Sequence, residues 1–275
     1  MPQAVYVFRV GVYRTADLPT NGGDISPDRI MLSMSSDPFK IGFADFSPVH
    51  PLVPGSRTFT DMELAFFKKH LTTPAKIQTF LDALPMNQEI IDDVCLSPID
   101  TLRQNHAHCI EGAMLAAYLL SLQGFRPMLM DLRSSVDDDD HNITLFQEDG
   151  RWGALSVTNH CVLRYMPPIF ETTRQLAMAH VNEYMNSAGV HTLRCHSEPV
   201  HLAAAFGDDW HTARGDVYPL ADLMDEVPHS DLVEEKHIVN LRDADPFVQA
   251  SAVQLREWLV FFAFALHHCG GRREL

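Results

Sequence analysis

From Cys109 the chain reads CIEGAMLAAYLLSLQ and then reaches Gly124, with Glu111 as its one charged residue. Ile110, Ala113, Met114, Ala117 and Leu120 recur at helical spacing, Ala and Leu are strong helix formers, and Gly124 supplies a stop. Such a stretch cannot be left in water. From Gly112 to Phe125 it also falls short of the roughly 18 to 20 apolar residues that span a bilayer. It is therefore predicted to be a central buried helix on which the rest of the fold is built. The apolar run from Trp258 to Cys269 is too short to span for the same reason. No membrane partner is expected.

Strand signals follow the helix at Pro127 to Leu132, His141 to Gln147 and Arg151 to Thr158, the last two joined by Glu148-Asp149-Gly150, a hairpin signal. A helix followed by an antiparallel sheet is an α+β order. Ahead of it, residues 1–58 combine β-prone and proline-rich segments and read as a strand and loop extension. Helical spacing begins at Thr60, with Pro74 at a break between two helices. Three regions are expected: the extension 1–58, a catalytic core 59–186, and a mainly helical region 187–275 packed on the core.

Acidic side chains outnumber basic ones by 36 to 21, a net charge of −15 with histidine neutral. That balance opposes binding to phosphate backbones, so nucleic acid is not an expected partner. The cysteines, Cys95, Cys109, Cys161, Cys195 and Cys269, are odd in number and widely spaced, which indicates neither a disulfide framework nor a zinc ribbon. A reducing compartment fits this usage. The start, MPQAVYVFRVGVY, lacks a basic segment ahead of its apolar stretch, and the expected location is the cytoplasm.

Cys109 stands where unpaired N–H groups and the helix dipole favour a thiolate. His141, at the start of a strand, supplies an imidazole that can reach such a sulfur and form the Cys/His pair of acyl transfer. The hairpin register decides which residue orients that imidazole. A two-residue turn at Asp149-Gly150 pairs Ile143 with Ser156 and His141 with Thr158. A three-residue loop pairs Leu145 with Leu155, Ile143 with Val157 and His141 with Asn159, keeping apolar side chains together. The second register is preferred and makes Asn159 the orienting amide, with Ser156 as the alternative third member.

The stretch from His108 to Tyr165, and above all its Cys-x-Glu-Gly-Ala run and the Gly-x-Trp start at Gly150 and Trp152, resembles the transglutaminase-like cysteine superfamily. Within it, the resemblance is to a group of bacterial transglutaminase-like proteins of unassigned substrate. It covers roughly residues 60 to 185. It implies a papain/transglutaminase-like core and a helix-start Cys, a sheet His and an Asp or Asn on the next strand, matched in order by Cys109, His141 and Asn159. Where better-known members carry Asp a few residues beyond the tryptophan, this chain has Ser156.

The implied mechanism is thiolate attack on an amide or acyl carbonyl, with the His141 imidazolium protonating the leaving group. The oxyanion would be held by the Cys109 N–H and an upstream donor, for which Gln104 or Asn105 is placed by spacing. The expected partner is a peptide, protein or small amide substrate. The run Asp137 to Asp140 would favour a cationic one. No cofactor and no metal are expected, although His106, His108, Cys109 and His141 together offer an alternative zinc-like donor set. His108 otherwise reads as a helix cap or a wall of the cleft. The competing functional class is a binding or scaffold protein that keeps the fold without turnover.

Overall fold

The computed structural model describes residues 58–87, 94–158, 160, 162–213 and 215–251, without the side chains of residues 250 and 251. The chain divides into two compact units, residues 1–65 and 66–275. Of the first, only the entry to helix α1 (Asp61–His70) is described. There Glu63 accepts from the Thr60 N–H (2.7 Å) while the Thr60 hydroxyl accepts from the Glu63 N–H (3.2 Å), a capping box. The extension expected over residues 1–58 lies outside the described residues apart from Thr58. The apolar helix expected around Leu255 to Leu266 also lies outside them.

In the second unit, α2 (Pro74–Leu81) starts where proline is tolerated, at the first helical position, with the Thr73 side chain as cap. Next come α3 (Pro98–Gln104) and α4 (Cys109–Leu122). Every residue of α4 from Cys109 to Leu120 is buried, so the helix has no water-facing side over that length.

Strands β1 (Met128–Ser134), β2 (His141–Glu148), β3 (Arg151–Leu155) and β4 (Met166–Phe170) precede α5 (Thr173–His180). Beyond it lie β5 (Leu193–Ser197), α6 (Leu202–Phe206), a short turn of tighter helix at Trp210–Thr212 and α7 (Tyr218–Glu226). Then come β6 (His229–Asp231), α8 (Glu235–Ile238) and α9 (Pro246–Ser251). The six described strands form one antiparallel sheet in the order β4-β3-β2-β1-β5-β6. Mixed α and β structure on an antiparallel sheet is thus the observed class. The region beyond residue 187, expected to be mainly helical, also supplies β5 and β6, because the free edge of β1 takes up Leu193–Ser197.

Strand alternation divides the core between the two sheet faces. Met130, Leu132, Ile143 and Leu145 pack with Leu176, Ala177 and Val181 of the α5 segment. Leu129 packs with Ile110, Ala113, Met114 and Ala117 of α4. The Thr144 hydroxyl donates to the Ala113 carbonyl (2.5 Å), which satisfies a polar group beneath α4. Gly112 brings α4 close to the segment after β3, since a Cβ there would lie 2.4 Å from Val157 Cγ2.

The hairpin takes the two-residue turn, not the preferred three-residue loop. Glu148 pairs with Arg151, Leu145 with Ala154 and Thr144 with Leu155. Asp149 (φ 49) and Gly150 (φ 74) both adopt the left-handed conformation that a type I′ turn demands, and this turn geometry overrides the grouping of apolar pairs. The register that set Asn159 opposite His141 is therefore not the one formed.

Candidate active site

The approach to α4 is fixed before the helix begins. Ala107 receives the Asn87 N–H at its carbonyl (2.9 Å) and donates its own N–H to Pro85 (3.0 Å). His108 follows as the extended residue ahead of the helix. Glu111, one turn in and buried, accepts from the His108 N–H (2.6 Å) and the Leu96 N–H (2.9 Å). It is a hydrogen-bonding carboxylate that locks the helix start, and burial pushes its pKa up.

Cys109 is buried at the first position of α4. Nδ1 of His108 lies 3.4 Å from its sulfur, and the Asp140 carbonyl lies 4.0 Å away. Burial alone would push the thiol up. The hydrogen bonds and positive charges of His108 and then His141 outweigh it and hold the thiol well below its ordinary value. Reciprocally, the hydrogen bond to Cys109 and the charge of its thiolate raise His108 to about 9. A thiolate flanked by two imidazoles is the ionic arrangement of a nucleophilic cysteine.

His141 is buried at the start of β2, edge-on to the Tyr184 ring (centroids 6.4 Å apart). The Tyr184 hydroxyl donates to the Asp139 carbonyl (2.6 Å), so this ring braces both the imidazole and the loop before it. Nε2 of His141 is buried without a hydrogen-bond partner among the described residues. Asn159, the expected third member, lies outside the described residues. Ser156, the alternative, is buried with its hydroxyl donating to the Leu163 carbonyl, which commits it elsewhere. Gln104 ends α3 and Asn105 caps it in the left-handed conformation, both exposed, and no described hydrogen bond ties either to the sulfur.

Two of the four carboxylates before His141 fold their own loop. Asp140 accepts from the Ser134 N–H (2.7 Å), and Asp138 accepts from the Thr192 hydroxyl. The side chains of Asp137 and Asp139 are exposed. Among the described residues, the His, Cys, Asp and Glu donors that converge to within 4.8 Å are Asp131, Asp140 and Asp225, not the His106, His108, Cys109 and His141 set. Arg133 already reaches all three side chains, at 3.8, 3.6 and 3.4 Å, so a cation occupies that cluster.

In the sequence, His108 reads as a zinc-like donor, a helix cap or a wall of the cleft. Its signal is its place immediately before a helix-start cysteine, from which its ring reaches the sulfur. Neither protein-family models nor curated proteins gave a match to this chain. Among the described residues, no helix is long and apolar enough to cross a membrane.

Proposed function

We propose that the chain is a cysteine-dependent hydrolase or acyltransferase of the transglutaminase-like type, acting on an amide or peptide bond through a thioester at Cys109. One observation carries this reading: a buried thiol at the start of α4 with imidazoles against it that favour its ionised form. His141 is the sheet imidazole of the pair. Asn159 is retained as the orienting amide on the resemblance alone, since the hairpin register no longer argues for it. The Cys109 N–H at the helix start suits the oxyanion of the tetrahedral intermediate. The substrate is a peptide, a protein or a small amide, and exposed Asp137 and Asp139 suit a cationic one.

A second reading, a binding protein that has kept the fold without turnover, is favoured by the Ser156 hydroxyl pointing to a backbone carbonyl. Iodoacetamide separates the two. The enzyme reading expects selective labelling of Cys109 at neutral pH, mapped by mass spectrometry, that slows roughly tenfold or more in His141→Ala. Labelling no faster than free cysteine sinks the enzyme reading and leaves the scaffold.

A further inference from the structure

We infer that His108 is a second catalytic imidazole, which takes the Cys109 proton on Nδ1 and faces the substrate side of the sulfur. This rests on the proposed thiol chemistry and goes beyond it by assigning the proton. A group that touches the sulfur and also meets the leaving amine can carry the thiol's proton to that amine, which closes the proton balance without a second acid. His141 is poorly placed for the second part. It is 6% exposed, and its Nε2 is sealed from solvent. His108 has Nδ1 3.4 Å from Sγ, and the residue is partly open to solvent, the side from which a leaving amine can meet it. Its backbone is fixed, because its N–H donates to Glu111 at 2.6 Å.

The steps balance without another reactant. The S–H proton passes to Nδ1 of His108, leaving a thiolate and an imidazolium. The thiolate forms a C–S bond with the carbonyl carbon. Collapse of the tetrahedral intermediate breaks the C–N bond, and the departing nitrogen takes the proton from His108. Water or an amine then attacks the thioester and gives a proton back to His108 as the C–S bond breaks and the thiolate is restored. His141 stays beside the sulfur as the buried partner that favours its charge.

The charged and titratable groups facing His108 are Cys109 and Glu111 on its own helix and Asp139 from the β1–β2 loop, all of which favour its protonated form. Burial of the ring acts the other way.

The test is the pH profile of iodoacetamide alkylation of Cys109 in the wild type, His108→Gln and His141→Gln, together with ring NMR of His108 in the wild type and Cys109→Ala. The expected result is that His108→Gln moves the alkylation midpoint up by about one pH unit or more. The His108 ring should also titrate near 9 with the thiol present and fall towards its ordinary value without it. The NMR measurement needs no histidine substitution and decides the matter if His108→Gln fails to fold. If alkylation is fast in the wild type, slow in His141→Gln and unchanged in His108→Gln, the proposed function stands and this assignment is overturned. If wild-type alkylation is no faster than that of free cysteine, the proposed function itself fails.

Discussion

Gln78 of α2 holds both backbone groups of Ser156 with one side chain. Its amide nitrogen donates to the Ser156 carbonyl (2.8 Å), and its amide oxygen accepts from the Ser156 N–H (3.1 Å). Both residues are buried, so the amide does the work of a further strand just past the end of β3. Gln78→Leu keeps the volume and leaves two buried backbone groups unpaired. It should cost about 2–4 kcal/mol. Chemical denaturation measures this directly, and a loss under about 1 kcal/mol would show that water replaces the clamp.

That clamp joins residues far apart in the chain, and the same distinction separates what was readable in the sequence from what was not. The α4 helix was legible because its composition admits no other burial, and Gly124 does stop it in the left-handed conformation (φ 85). His141 was legible as the start of a strand. The hairpin register follows turn geometry at Asp149 and Gly150 rather than cross-strand polarity. Thr144 faces α4 without penalty once its hydroxyl finds the Ala113 carbonyl, a partner that the strand sequences alone do not reveal. Strands β5 and β6 are short, and HSD carries no apolar residue at all, so their pairing comes from the free edge of β1.

Gly112 sits where α4 meets Val157. Alanine in a helix interior ordinarily gains about 1 kcal/mol over glycine. Here the added Cβ would lie 2.4 and 2.5 Å from Val157 Cγ2 and Cβ, inside a packed core. Overpacking of about 1–3 kcal/mol should outweigh the gain. Gly112→Ala is therefore expected to destabilise, and Val157→Gly, which removes the Cβ as well as both methyls, should relieve it with a coupling of about 1 kcal/mol or more in a double-mutant cycle. A more stable Gly112→Ala protein would contradict this account.

The turn at Asp149 and Gly150 fixes the register that the rest of the hairpin follows. Gly150 has φ 74, and nothing lies within 4 Å of the place a Cβ would occupy, so backbone strain alone sets the effect of a substitution. Gly150→Val should lose about 1–2 kcal/mol. Asp149→Asn should be neutral or slightly stabilising, since Asn-Gly suits this turn. Thermal unfolding of the two variants is the measurement, and equal melting temperatures would refute the assignment of strain to Gly150.

Asp131 and His229 share a proton across the β1 and β6 ends of the sheet. Nδ1 of His229 donates to the Val227 carbonyl (2.7 Å), which leaves Nε2 as the acceptor toward Asp131 Oδ2 (3.0 Å). Burial, then the Asp140 charge, raises Asp131 to about 8, and burial lowers His229, so the neutral carboxyl donates to the neutral ring. Between about pH 4, where an unfolded Asp titrates, and pH 8, the folded chain binds the extra proton. Stability from this group is therefore full at the acid end, falls as pH rises through that window, and levels off above it. Asp131→Asn keeps a donor to Nε2 with nothing to ionise, so the difference in stability between variant and wild type should move in the variant's favour from pH 5 to pH 9. Asp131→Ala, which leaves Nε2 without its donor, should instead lose about 1–3 kcal/mol at the acid end. Melting temperatures of the three proteins across that range decide it, and a wild type and an Asp131→Asn variant that run parallel with pH would mean Asp131 is ionised throughout.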